Sequence, residues 1–77
     1  MIRVGLIGYG LAGSSFHAPF ITTTPGMRLE AIVTSDPARQ AQARAAHPDA
    51  RVVSSADALW AEPHRLNLAV IATANAE

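Results

Sequence analysis

The stretch that decides the fold is residues 2–13, IRVGLIGYGLAG, in which an apolar run is followed at once by three glycines. Their G-x-G-x-x-G spacing, between a strand and a helix, is typical of a dinucleotide-binding turn. Gly8 allows a tight reversal, Gly10 lets the backbone approach a pyrophosphate, and Gly13 lets the next helix lie close to the strand. Backbone N–H groups and the macrodipole at the start of that helix favour an anion. The alternative is a glycine-rich turn that binds nothing.

The composition is that of a small globular domain without a charge bias. The chain has 77 residues, and equal numbers of basic and acidic residues give a formal net charge of zero. A neutral chain offers no electrostatic basis for binding nucleic acid or an anionic membrane. The absence of cysteine excludes disulfides and thiolate metal sites. Because we find no signal-peptide pattern and no run of the ~20 apolar residues that a membrane span needs, we expect a cytoplasmic protein.

The segment after the glycines predicts a helix interrupted by proline. Phe16 and Phe20 are four residues apart with Ile21 beside them, which predicts one apolar helical face. Pro19 removes a helix hydrogen bond and clashes with the preceding turn, so we expect a kink or a restart there. The dipeptide at residues 25–26, Pro-Gly, ends the helix.

Apolar segments bounded by turn residues predict further strands and helices. The predicted strands are residues 2–7, 27–34, 51–53 and 66–72. The first lacks strict alternation, as expected of a central strand covered on both faces. Asp36 and Pro37 predict the start of a helix over residues 38–46, with Asp36 as the cap.

A short helix is predicted between the third and fourth strands. Ser54 and Asp57 resemble an N-cap pair, and the helix ends near Pro63. Trp60 is predicted to be in the core, because an isolated aromatic residue at helical spacing is usually buried.

These elements predict an α/β fold that is the first half of a doubly wound parallel sheet, Rossmann-like and truncated. The common strand order for such a half is 3-2-1-4. In that order, strands one and four are neighbours whose connections leave in opposite directions, which creates a ligand-binding crevice. Residues 8–13 and 73–75 would line it from two sides.

Several motifs together carry a family resemblance. The motifs VGLIGYGLAG, FHAP, PG, SDP and VIATAN, in this order, resemble the amino-terminal part of the Gfo/Idh/MocA oxidoreductases, the glucose–fructose oxidoreductase and inositol dehydrogenase family. The resemblance covers the whole chain. It implies that residues 1–77 are a partial NAD(P)-binding Rossmann domain and that the family's substrate domain is absent from this chain.

The resemblance also implies site residues for a nicotinamide dinucleotide. The phosphate loop would comprise Gly8, Tyr9, Gly10, Leu11, Ala12 and Gly13, and the loop beside the nicotinamide ribose would include Thr73 and Asn75. Tyr9 either touches the cofactor or packs, or is exposed, at the loop rim. Ala74 stands where the family usually has proline, and the chain ends before the family's Glu-Lys-Pro motif, whose lysine is implicated in catalysis. We therefore assign no catalytic residue.

The end of the second strand bears on the choice of cofactor. An acidic residue there hydrogen-bonds the adenosine ribose and rejects a 2′-phosphate, but the family pattern places Thr34 at this position. Asp36 precedes Pro37 and is better placed as a helix cap than as a ribose ligand. Thr34 and Ser35 can donate to phosphate oxygens, and Arg39 lies one helical turn away. These residues favour NADP over NAD.

The histidines and the remaining carboxylates predict no metal or acid–base site. The spacing of His17, His47 and His64 matches no ligand motif. We expect His17 on the helix close to the cofactor loop, His47 at a helix end and His64 in an exposed loop. Surface or capping roles are expected for the carboxylates of Asp49, Asp57 and Glu62.

The leading hypothesis is the dinucleotide-binding part of an oxidoreductase that is not catalytic by itself. By resemblance, the complete enzyme would act on a sugar, cyclitol or related polyol. Two alternatives stay open: a stand-alone non-catalytic nucleotide-binding or interaction module, and a truncated gene product without a stable fold. Because a half-sheet leaves apolar edges uncovered, we also expect self-association through the sheet.

Overall fold

The computed structural model describes residues 1–10, 17–62 and 65–72. Strands and helices alternate along these residues. The strands are β1 (Ile2–Ile7), β2 (Met27–Val33), β3 (Arg51–Val53) and β4 (Leu68–Ile71). The helices are α1 (Ala18–Thr23), α2 (Pro37–Ala46) and α3 (Asp57–Trp60). No helix in these ranges is both long and apolar enough to cross a membrane.

The described strands form one parallel sheet in the order β3-β2-β1-β4. β1 is central, because it pairs with β2 on one side and with β4 on the other. The observed order confirms the predicted Rossmann-like half-sheet. The direction in which the strands are added reverses between β1 and β4, and this is the point where ligands bind in doubly wound sheets.

Apolar side chains cover the two faces of the sheet in two clusters. One cluster joins β1 and β2 to α1 and α2 and contains Val4, Leu6, Ile21, Leu29, Ile32 and Ala43. The other joins β2 to α3 and contains Ala31, Val33 and Leu59. Because successive strand residues point to opposite faces, Ile32 belongs to one cluster and its neighbours to the other.

A bulge in β2 shifts this alternation. The register of β1 against β2 skips Glu30, so Leu29 and Ile32 reach the same cluster although they are three residues apart. The Glu30 side chain is only 12% exposed and forms ion pairs with Arg28 at 3.4 Å and Arg65 at 3.3 Å. These two guanidinium groups supply the countercharge that a largely buried carboxylate requires.

Gly5 lies where side chains of the second cluster closely approach the backbone of β1. A Cβ atom at this position would be 2.9 Å from Leu66 Cδ1 and 3.2 Å from Leu59 Cδ1. A glycine inside a strand marks a close approach, and here the two leucine side chains occupy the space.

The prediction for Phe20 was wrong. Its side chain is 63% exposed, whereas Ala18 and Ile21 of the same helix are buried. Successive helix residues rotate by about 100°, so Phe20 points away from the sheet when Ala18 and Ile21 face it. Pro19 lies in the first turn of α1, which agrees with a helix that restarts there, and Phe16 lies outside the described residues.

The predictions for Trp60 and for the cap of the short helix were also wrong. Trp60 is 51% exposed because α3 has only four residues and turns Leu59 to the sheet. The N-cap position is Ala56, which makes no side-chain hydrogen bond. Ser55, rather than Ser54, accepts from the Asp57 N–H through its hydroxyl at 3.2 Å.

β4 is shorter and more exposed than predicted. It spans Leu68–Ile71 rather than residues 66–72. Leu66 packs against the second cluster before the strand begins, while Leu68 and Ile71 are exposed. Within the described residues β4 has a strand partner on one side only, which is β1.

Candidate functional site

Strand ends meet at the carboxyl edge of the sheet, where the predicted site residues follow. The Gly8 N–H donates to the Val33 carbonyl at 2.8 Å, and the Ala72 N–H donates to the Ile7 carbonyl at 2.8 Å. The Thr34 N–H donates to the Val53 carbonyl at 3.0 Å. These bonds place Gly8, Thr34 and Ala72 side by side at the ends of β1, β2 and β4.

The structure describes the first part of the glycine turn. Gly8 has φ +103°, a backbone conformation that residues with a side chain rarely adopt. A Cβ atom at Gly10 would have no described atom within 4 Å. Within the described residues, nothing occupies the space next to the Gly10 backbone, which is where this motif brings a pyrophosphate close to the main chain.

The Tyr9 side chain packs in the core, which is one of the alternatives that the sequence left open. Its side chain is only 4% exposed and joins the cluster between β1 and α2. The ring meets the His47 ring edge-on, with 6.0 Å between centroids. The Tyr9 ring is therefore part of the core, and only its main chain is left to line the glycine turn.

The residues after β2 form a loop with hydrogen bonds among its own residues and to the start of α2. Asp36 accepts from the Ala38 N–H at 2.8 Å through Oδ1, which confirms that it caps α2. The Asp36 N–H lies 3.4 Å from Thr34 Oγ1. Ser35 is exposed, and Arg39 is the third residue of α2, with Nη1 3.4 Å from Gln42 Oε1. Thr34, Ser35 and Arg39 thus all lie where β2 passes into α2.

Removing the Asp36 cap tests whether its carboxylate is structural. We expect Asp36→Ala to lower the free energy of unfolding by about 1 kcal/mol, because the first turn of α2 loses an acceptor. Asp36→Asn keeps an oxygen acceptor and should cost less. Urea denaturation of the three proteins measures the difference, and equal stability of Asp36→Ala and the unsubstituted chain would contradict the capping role.

Sequence reasoning did not identify Gln40, which contacts this loop. Gln40 Nε2 donates to the Thr34 carbonyl at 2.8 Å from a partly buried position. A glutamine on an otherwise polar helix carries no signal for such a bond, because the contact depends on how α2 packs after the turn. Gly5 was a different case, since a glycine within a strand pattern is itself a sign of close approach.

His47 lies at the end of α2, as predicted, and burial lowers the pKa of its imidazole below the usual 6.5. His17 is the N-cap residue of α1 and makes no side-chain cap bond. Among the described residues, no cluster of three or more His, Cys, Asp or Glu side chains could hold a metal ion. His64 lies outside the described residues.

Acid should therefore destabilise the fold through His47. Between pH 6.5 and its lower folded pKa, His47 is protonated in the unfolded chain and neutral in the folded one. The unfolded state then binds more protons, so stability falls as pH falls through this window. We expect His47→Gln to reduce the loss of stability between pH 7.5 and 5 in urea denaturation. An unchanged pH dependence would contradict this. The charged residues that line the same cleft as His47 are Arg28 and Asp49, and substitutions at these two positions serve as the comparison for His47→Gln.

An open cleft of about 760 Å³ lies at the opposite edge of the sheet. Its lining includes Met27 and Ala50, at or next to the amino ends of β2 and β3. None of the predicted cofactor residues that the structure describes lines it. This cleft is therefore separate from the described part of the candidate site.

Five of the predicted site residues lie outside the described residues. They are Leu11, Ala12, Gly13, Thr73 and Asn75. For these positions the cofactor assignment stays a prediction. Of the described members, Gly8 and Thr34 lie at the carboxyl ends of neighbouring strands, Gly10 follows Gly8 in the glycine turn, and Ser35 and Arg39 follow Thr34 along the chain.

Comparison with known proteins identifies similar sequences over nearly the whole chain. The model of the Gfo/Idh/MocA group, described as an oxidoreductase family with an NAD-binding Rossmann fold, matches residues 2–77. The chain is 46% identical over 74 residues to the uncharacterized oxidoreductase YdgJ of Escherichia coli, covering 96% of this chain and 20% of YdgJ. It is 33% identical over 72 residues to scyllo-inositol 2-dehydrogenase (NADP(+)) IolW of Bacillus subtilis, covering 94% and 19%.

Solved structures show the same arrangement. A crystal structure of a Klebsiella pneumoniae protein assigned to the oxidoreductases matches with a TM-score of 0.82 and 37% identity. The match covers 97% of this chain and 21% of that one. This chain thus spans about a fifth of the length of the relatives and of the structure that it matches.

Proposed function

The chain belongs to the Gfo/Idh/MocA oxidoreductase family, and from this we propose that residues 1–77 form the cofactor-binding part of an NAD(P)-dependent oxidoreductase. The observation that carries the proposal is the turn at Gly8 and Gly10, which lies beside the ends of β2 and β4 at the reversal point of the sheet. Leu11, Ala12 and Gly13 would continue the phosphate loop, and Thr73 and Asn75 would lie near the nicotinamide ribose. When bound, the cofactor supplies hydride transfer, and the protein positions it.

NADP is the proposed cofactor. The Asp36 carboxylate is occupied as a helix cap, so the acidic group that would repel a 2′-phosphate is engaged elsewhere. Ser35 and Arg39 lie at the same loop and can donate to phosphate oxygens. The name of the relative IolW specifies NADP(+), which supports this choice.

Titration of the full chain with NADPH and with NADH tests both the dinucleotide binding and the preference for NADP. We expect NADPH to bind at least about fivefold more tightly than NADH, measured by isothermal titration calorimetry. NADH binding at least as tight as NADPH would overturn the cofactor preference. Binding of neither would overturn the dinucleotide proposal itself.

The proposed substrate is a sugar, cyclitol or related polyol. The family resemblance supports this class, and the relative IolW is named as a scyllo-inositol dehydrogenase. Reduction of NADP+ by the polypeptide that carries this chain, measured at 340 nm with inositols and aldoses, is the test. Absence of activity with every polyol in the panel would count against the class. A cytoplasmic location stays a prediction.

We also propose that the chain self-associates through β4. Leu68 and Ile71 are exposed on this strand, and its outer edge carries no strand partner among the described residues. Unpaired apolar edges are templates for association. Sedimentation velocity should show species larger than a monomer that Ile71→Lys reduces, whereas a sharp monomer with cooperative unfolding would contradict the proposal.

A further inference from the structure

The side chain of Gln40 fixes the orientation of one peptide group at the candidate site. Its Nε2 donates to the Thr34 carbonyl at 2.8 Å in a partly buried position. Thr34 is the first residue after β2, where the pairing with β3 ends. A carbonyl in this position needs a hydrogen-bond donor from outside the sheet. The bond therefore keeps the Thr34 carbonyl directed toward α2.

This peptide group also contains the Ser35 N–H. Among the described residues there is no cis peptide bond, and in a planar trans peptide the N–H points opposite to the carbonyl. With the Thr34 carbonyl held toward α2, the Ser35 N–H points away from that helix. No described group accepts a hydrogen bond from it.

The carboxylate of this loop is already engaged, because Asp36 caps α2. The Thr34 hydroxyl accepts from the Asp36 N–H over a long contact of 3.4 Å and keeps its own O–H as a donor. Ser35 is exposed, follows the carboxyl end of β2 and carries two donors, its N–H and its hydroxyl. Two donors on one residue, at the end of β2, suit the oxygens of a phosphate group.

We propose that Gln40 is a positioning residue for cofactor specificity, which holds the Thr34 carbonyl and so directs the Ser35 donors at the 2′-phosphate of NADP. The inference rests on the proposed function. It adds Gln40, which lies one helical turn beyond the loop and acts on the cofactor only through the Thr34–Ser35 peptide group that it holds.

The test is a comparison of Gln40→Met with the unsubstituted full chain. Methionine has a similar length and shape but no N–H donor. We expect the Kd for NADPH to rise about five- to tenfold and the Kd for NADH to change less than twofold. Gln42→Met is the matched control, because Gln42 lies on the same helix and its Oε1 is 3.4 Å from Arg39 Nη1, which is longer than an ordinary hydrogen bond.

A double-mutant cycle with Ser35→Ala separates positioning from a general loss of structure. Because Ser35 is exposed, Ser35→Ala should fold normally and weaken NADPH alone. If Gln40 acts through Ser35, the double variant should lose less selectivity than the sum of the single variants. Equal weakening of NADPH and NADH by Gln40→Met, or selectivity unchanged in either single variant, would overturn the inference while the proposed function stands. Failure of the unsubstituted chain to bind either cofactor would overturn both.

Discussion

Replacing Gly10 with alanine is expected to weaken NADPH binding at least about tenfold, while the free energy of unfolding changes by less than about 0.5 kcal/mol. The added methyl group meets no described atom within 4 Å. The positive-φ glycines among the described residues are Gly8 and Gly26, so alanine at position 10 brings no backbone strain of that kind. The methyl group would instead occupy the space that the pyrophosphate needs. Calorimetric titration and urea denaturation of the same preparation measure both quantities.

Gly26→Ala is the matched control for this experiment. Its Cβ atom would also meet no described atom, but Gly26 has φ +86° and lies at the other end of the sheet, next to the start of β2. A left-handed alanine costs about 1–2 kcal/mol, so Gly26→Ala should lose stability and keep its affinity for NADPH. The two substitutions should thus have opposite signatures. Unchanged NADPH binding by folded Gly10→Ala would contradict the assignment of the glycine turn to the phosphates.

The parts of the fold that depend on local chemistry could be predicted from the sequence. Asp36 and Pro37 define a helix start with a side chain and a fixed φ angle, and the structure confirms both. The central position of β1 was also predictable, because its apolar residues do not alternate and therefore require cover on both faces. The family resemblance is confirmed by the match over residues 2–77.

The parts that depend on packing between distant segments could not be predicted. Phe20 and Trp60 were misplaced because a helix of one or two turns can bury only the residues that face the sheet. The bulge at Glu30 arises from the register of β2 against β1, which no local pattern encodes. Gln40 reaches Thr34 across six residues, and this contact exists only once α2 has packed beside β2.

The largest expected loss of stability comes from truncating Ile32. Its side chain is fully buried in the cluster that joins β2 to α1 and α2, and its neighbours across the sheet are Leu6 and Val52. Ile32→Ala should cost about 2–5 kcal/mol, because it removes buried methyl groups and leaves a cavity. A chain of 77 residues has a total stability of roughly 4–12 kcal/mol at about 0.05–0.15 kcal/mol per residue. The substitution should therefore remove a large fraction of the stability, measured as a lower urea midpoint.

Ile71→Ala provides the control, because the same atoms are removed from a side chain that is 72% exposed on β4. In a monomer we expect this change to stay within about 0.5 kcal/mol. A cost below about 1 kcal/mol for Ile32→Ala would contradict its place in the core. A concentration-dependent cost for Ile71→Ala would show that a second copy covers β4, since only association makes stability depend on protein concentration. The pair of substitutions thus measures the core and tests the proposed association surface in one experiment.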